Sequence, residues 1–177
     1  MSKQYGTNSE LDKLIDSDDY KDRIKAARQG YALDRLLFDD NNNDVFEVAE
    51  NYLNDHKYKT IFDWAKDNNV DINIDEWLTS DDWTKRREVA YYGYRLDILA
   101  YDNDWGVRNV VYDYILDHHY ASVFAWAEDN NILIDIDEWL NSDNTYKKIA
   151  VVRAGYRLDI LRNDKDETVR NYACKYL

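Results

Sequence analysis

The chain contains no proline, five glycines, three histidines and a single cysteine in 177 residues. Tight turns between strands draw on proline and glycine, so their scarcity argues against an all-β fold of short strands. The lone Cys174 excludes an internal disulfide and reads as a small buried hydrophobe in a reducing compartment. No apolar run approaches the ~18 residues of a membrane span. Residues 1–10 are polar and lack the apolar centre of a signal peptide. The expectation is a cytoplasmic protein. No serine or cysteine nucleophile motif accompanies the three histidines, and no His/Cys group has zinc spacing. No glycine-rich loop could cradle a phosphate. The chain is therefore expected to be no enzyme and to need no cofactor.

Bases are also in short supply. There are 23 against 36 acids, a net charge of −13 and a pI of about 4.6. This balance excludes plain nucleic-acid binding and an anionic membrane surface. It favours solubility and steers the chain toward a protein partner with a basic surface.

What is abundant is hydrophobic and aromatic: 45% of residues are apolar, with 16 Tyr and 6 Trp. These residues recur. Gly30-Tyr31, Gly93-Tyr94 and Gly155-Tyr156 are spaced by 63 and 62 residues. Each precedes Leu-Asp-x-Leu, at Leu33, Leu96 and Leu158. Trp64-Ala65 returns as Trp126-Ala127, and Ile74-Asp75-Glu76-Trp77-Leu78 returns as Ile136-Asp137-Glu138-Trp139-Leu140. Ile15-Asp16-Ser17-Asp18-Asp19 is a degenerate copy of Leu78-Thr79-Ser80-Asp81-Asp82. Repeat units of about 62 residues thus run over 18–80, 81–142 and 143–177, the last cut short, after a polar tail at 1–9.

Each unit reads as helices. Val45, Val48, Ala49, Tyr52 and Leu53 share one helical face, as do Val107, Val110, Val111, Tyr114 and Ile115, and Val169, Tyr172, Ala173, Tyr176 and Leu177. Asp44, Asp104 and Asp166 are the expected N-caps. Gly30, Gly93 and Gly155 should end the preceding helix in a left-handed conformation. His56 and His118 hold equivalent positions, which suits a helix C-terminal cap better than catalysis. The repeated Trp64, Trp77, Trp126 and Trp139 should be core wedges. Tyr91, Tyr92 and Tyr101 escape the repeat and are candidates for a binding face, with core placement equally open for Tyr91. Asp102-Asn103-Asp104-Trp105-Gly106 and the run Asp67, Asn69, Asp71 open like calcium loops, but glycine and the twelfth-position ligand are misplaced. Capping is the better reading.

Asp102 precedes Arg108 by six residues, within Asp-x-x-x-x-Val-Arg, and Asp164 precedes Arg170 likewise. In the first unit Asp40 is present but Phe46 stands in place of the Arg. The pattern resembles the HEAT repeat signature and the shorter leucine-rich-repeat-variant and HEAT-like repeats. That resemblance, over residues 20–177, implies an all-α, right-handed helical-repeat solenoid in one domain, with an Asp–Arg ladder between neighbouring units. It implies a binding surface and no particular activity.

Charge alternates along the chain. Residues 63–82 hold seven acids and one base, and 125–143 hold six acids and none. The segments 20–30, 84–95 and 145–157 reverse the sign. In stacked repeats such blocks become stripes. The expected partner-binding acidic face comprises Asp71, Asp75, Glu76, Asp81 and Asp82 in one block. It continues with Glu128, Asp129, Asp135, Asp137 and Glu138 in the other. Arg86, Arg87, Lys147 and Lys148 would form a secondary basic stripe. Helix-dipole preferences account for part of the pattern.

The sharpest functional expectation is an inhibitor that occupies the nucleic-acid site of a restriction or CRISPR effector by charge mimicry. The alternative is a neutral scaffold that holds its partner on a concave apolar-aromatic face. A HEAT-like DNA glycosylase is a third reading. It would need a basic tracking surface, for which Arg86, Arg87, Lys147 and Lys148 are the only candidates. An exposed terminal repeat face would also permit a homodimer.

Overall fold

The computed structural model describes residues 9–39 and 42–176. Among these there are fourteen helices and no strand, so the chain is all-α. None of the helices is long and apolar enough to cross a membrane. The chain divides into two compact units, Met1–Asp75 and Glu76–Leu177.

The first unit holds α1 (Ser9–Ile15), α2 (Tyr20–Ala27), α3 (Leu33–Leu36), α4 (Asn43–Asp55) and α5 (Ile61–Asp67). Helix α2 packs along α4, α1 lies beside α2, and the single turn of α3 joins them and supports α5. The amphipathic face of α4 buries Val45, Ala49 and Leu53, each such side chain contributing about 1.5–3 kcal/mol. Trp64 is buried on α5 and its indole N–H donates to the Gly30 carbonyl at 3.2 Å, so the ring enters the core without an unpaired donor. α6 (Ile74–Leu78) follows at the boundary.

The second unit holds α7 (Trp83–Tyr92), α8 (Leu96–Leu99), α9 (Trp105–Asp117), α10 (Val123–Asp129) and α11 (Ile136–Asn141). It continues through α12 (Thr145–Arg153), α13 (Leu158–Leu161) and α14 (Glu167–Lys175). The α2/α4 arrangement recurs as α7 on α9 and α12 on α14. Within this unit the two copies pack through aromatic and guanidinium groups. The Arg108 guanidinium lies 3.6 Å from the Tyr146 ring centre and that of Arg153 3.5 Å from Tyr112. Phe124 meets Tyr156 edge-on at 5.7 Å, and within the copy at 81–142 Trp139 meets Tyr101 edge-on at 5.3 Å and tilts against Phe124 at 5.2 Å.

The repeat extends to individual dihedrals. Gly30, Gly93 and Gly155 have φ of 67°, 79° and 75°. The residue two places on is left-handed each time: Ala32, Arg95 and Arg157. Lys57 and His119 form a further left-handed pair, as do Asn69 and Asn131. All four repeated tryptophans are buried. Asp104 and Asp166 cap α9 and α14 as expected. In the first copy the cap is Asn42, whose side chain accepts the Asp44 amide, so Asp44 lies inside the first turn. The extra residue of the first loop shifts the cap upstream of the aspartate.

Cys174 is exposed, contrary to the buried position expected of it. It lies on α14 off the face that buries Val169 and Ala173. Of the remaining positions on that face, Tyr172 is half-buried, Tyr176 is exposed and Leu177 lies outside the described residues.

Candidate functional site

Each helix that opens a copy starts from the same local device. Ser17, Ser80 and Ser142 accept with Oγ the amide of the residue two places on, and that residue caps the helix: Asp19, Asp82 and Asn144. Arg23 and Arg86 then each donate to the carbonyl of the serine, at 2.6 Å in both cases. The degenerate segment at Ile15 therefore keeps the geometry of its better-preserved copy.

The same cations form the principal ion pairs. Arg23 binds Asp39 at 2.5 Å, Arg86 binds Asp102 at 2.7 Å and Lys148 binds Asp164 at 2.7 Å. All three pairs span sixteen residues and are largely shielded. The Arg86 fork is bidentate, with Nη2 reaching Asp102 Oδ1 at 2.9 Å. In the first copy the ladder carboxylate is Asp39, one residue before the expected Asp40, which lies outside the described residues. Arg108 and Arg170 do not reach the Asp102 and Asp164 carboxylates. They donate to the main-chain carbonyls of those residues, at 2.5 and 2.7 Å. The Asp-to-Arg spacing thus ties a loop to the helix after it, and the carboxylate serves the helix before it.

This geometry changes the basic stripe. Arg86 and Lys148 are internal ion-pair partners. Lys147 bridges to Glu138 at 2.8 Å above the Tyr101 and Trp139 rings. Arg87 lies beside Glu88 at 3.5 Å and over Trp83 and Tyr91. The four bases are spent on the fold and do not form a free cationic track.

The acidic residues divide differently. Asp82 caps α7 and Asp135 caps α11. Glu138 is paired with Lys147. Asp75 and Glu76 are exposed in the first turn of α6. Asp71, Asp81, Glu128, Asp129 and Asp137 are exposed, and none is in an ion pair among the described residues. Several acids sit where a helix disfavours them. Asp55, Asp67, Asp117 and Asp129 are the last residues of α4, α5, α9 and α10, and all are exposed. A helix C-terminus carries partial negative charge, so an acid there opposes the dipole.

The histidines act as expected from their repetition. His56 and His118 are the C-caps of α4 and α9. Nδ1–H donates to the carbonyls of Tyr52 and Tyr114, at 2.8 and 2.9 Å, and each ring stacks on that tyrosine. The loop acids are similarly occupied. Asp102 accepts the Asp104 amide, and Asp104 accepts those of Gly106 and Val107. Among the described residues no three His, Cys, Asp or Glu side chains converge as a metal site.

Two carboxyls of the last copy carry a pH signature. Burial pushes Asp164 up, but hydrogen bonds from Lys148 and the Asp166 amide outweigh it and hold the carboxyl below its usual range. The Thr145 hydroxyl, then the Thr168 amide, hold Asp166 low. A depressed carboxyl contributes stability that is complete above its unfolded pKa of about 3.9 and is lost as pH falls through the folded value. Thermal unfolding followed by calorimetry should give a midpoint that is flat above about pH 5 and drops below about pH 4. Thr145→Val should shrink the acid drop. An unchanged drop would remove Asp166 as a source.

Tyr91 and Tyr92 are exposed on α7 and Tyr101 is half-buried. Trp83, Arg87 and Tyr91 fall at i, i+4 and i+8 on one outward stripe of α7, and Trp105 is 70% exposed. Against known protein families, characterised proteins and solved structures, the chain shows no match.

Proposed function

We propose that the chain is a HEAT-like, right-handed helical-repeat solenoid that serves as an acidic protein-binding module. In its most concrete form it blocks a nucleic-acid-binding protein by presenting carboxylates where that protein expects phosphates. The observation that carries this reading is the set of exposed acids at helix C-termini, Asp55, Asp67, Asp117 and Asp129. Capping and dipole preference do not explain them, since each costs the helix a few tenths of a kcal/mol, up to about 1. Solubility alone could be served by acids at favourable positions. The internal pairing of Arg86 and Lys148 also removes cations that would repel a basic partner.

A second reading rests on the α7 stripe of Trp83, Arg87 and Tyr91 with the neighbouring Trp105. Aromatic anchors with an arginine are the usual composition of a high-affinity protein contact. On this reading the protein is a scaffold, and acidity keeps it dissolved.

Salt separates the two. The tagged protein is used to capture partners from a lysate of its own host, eluted in rising salt, with partners identified by mass spectrometry. Charge mimicry predicts release of a nucleic-acid-binding protein at moderate salt, because exposed charge pairs are screened within about 8–10 Å. A partner retained at high salt would instead select the aromatic stripe.

A further inference from the structure

Helices α9, α10 and α12 and the connection at 120–122 line a partly open cavity of about 170 Å3, with Tyr176 at its rim. Its walls combine the apolar Ile115, Leu116, Val123 and Ala150 with the Tyr112 and Tyr120 rings and Ser122. Arg153 is the one charged residue among the described residues that line it. Its guanidinium is stacked on Tyr112, its Nε is buried without a hydrogen-bond partner, and no carboxylate among the described residues pairs with it. Arg23, Arg86, Arg95, Lys147 and Lys148 each have a carboxylate within hydrogen-bond reach. Arg108 and Arg170 also lack a carboxylate but donate to main-chain carbonyls, whereas Arg153, in a chain with thirteen more acids than bases, has neither kind of partner among the described residues. Burying a charge without a counter-charge is costly, and stacking on tyrosine offsets only part of that cost.

The repeat does not impose this cavity. One copy earlier, the positions of Tyr112, Leu116, Ala121, Ala150 and Arg153 are held by Glu50, Asn54, Lys59, Glu88 and Tyr91. Three charged residues and an asparagine have been replaced by apolar or aromatic groups. The only charge gained is the arginine.

We propose that this cavity binds a carboxylate carrying an apolar, ring-sized body. The body lies against Ile115, Leu116, Val123 and Ala150, and the carboxylate meets the outer guanidinium nitrogens of Arg153. An apolar cavity of about 150 Å3 accommodates a benzene ring, so the volume fits one ring with a short arm. A planar guanidinium matches the two oxygens of a carboxylate. One cation in an apolar pocket suits a monoanion; a phosphate dianion would leave a charge uncompensated. The source is a free acid or the aromatic carboxy-terminal residue of a peptide.

The test is a titration of the full chain, followed by amide chemical shifts and calorimetry. The probes are 3-phenylpropionate, the neutral 3-phenylpropan-1-ol, and N-acetyl-Gly-Phe as acid and as amide. Saturable binding of 3-phenylpropionate at residues lining the cavity is expected, at least about tenfold tighter than the alcohol. Arg153→Gln should remove that preference and leave the alcohol within about twofold. Because Arg153 also packs on Tyr112, the exposed Ala121→Glu supplies a second variant, which should weaken the acid about fivefold and spare the alcohol. Peptide acid binding tighter than 3-phenylpropionate assigns a chain terminus; the reverse assigns a free acid. No saturable binding of either acid, or equal affinity for acid and alcohol, overturns the proposal.

Discussion

Replacing Gly93 with alanine should unfold the protein or lower its stability by roughly 2–5 kcal/mol, whereas Gly155→Ala should cost only about 1–2 kcal/mol. Both residues are left-handed, with φ of 79° and 75°, so both variants incur the steric cost of a Cβ in that region. They differ in what the Cβ meets. At Gly93 it would stand 2.3 Å from the Tyr114 ring; at Gly155 nothing lies within 4 Å. Tyr114 is itself stacked on His118, so swinging the ring aside would forfeit that contact. Gly30, 2.2 Å from Tyr52 by the same construction, should behave like Gly93. Chemical denaturation of the three alanine variants measures the difference. Equal losses at Gly93 and Gly155 would show that backbone conformation alone dictates the glycine.

Asp102→Ala should be the costliest single loss among the ion pairs, at roughly 2–4 kcal/mol, because removal of one partner strands a shielded charge. Asp102 holds both Nε and Nη2 of Arg86 and accepts the Asp104 amide that sets the α9 cap. Its side chain is 9% exposed and that of Arg86 is 16% exposed, which keeps the expected value below that of a fully buried pair. Arg86→Lys should cost far less, about 1 kcal/mol or below, since Lys148 already performs the same role toward Asp164 in the next copy. It would forfeit the second bond to Asp102 and the bonds to the Ser80 and Asp81 carbonyls, while keeping the charge pair. Urea denaturation of both variants decides the point. An Asp102→Ala protein as stable as the parent would remove these pairs from the account of the fold.

Most of the local structure was legible because duplicated residues take duplicated conformations. The glycine ends, the Asp104 and Asp166 caps, the His56 and His118 caps and the buried tryptophans follow from short-range chemistry that a period of 62 residues repeats. Errors arose where the period slips. One extra residue in the first loop moved the cap to Asn42 and the ladder acid to Asp39. The basic blocks looked like surface because charge counts carry no pairing information. The signal was nonetheless present: Arg23 to Asp39, Arg86 to Asp102 and Lys148 to Asp164 share one spacing. The exposure of Cys174 could have been read from its position, off the face set by Val169 and Ala173. The Arg153 cavity was not legible, because Tyr112, Leu116, Ala121, Ala150 and Arg153 depart from the repeat and meet only through packing.

The proposed acidic face is best tested by charge reversal at residues that do not also hold the fold together. Asp135 and Glu138 are poor choices, since one caps α11 and the other pairs with Lys147. Glu128→Lys, Asp129→Lys and Asp137→Lys alter exposed side chains that are in no ion pair among the described residues, and two of them end α10. The deciding measurement is salt-stepped capture from host lysate with this triple variant beside the parent, with helicity followed by circular dichroism. The account predicts unchanged helicity and loss of the partner that the parent releases at moderate salt. Undiminished capture by the folded variant would contradict it.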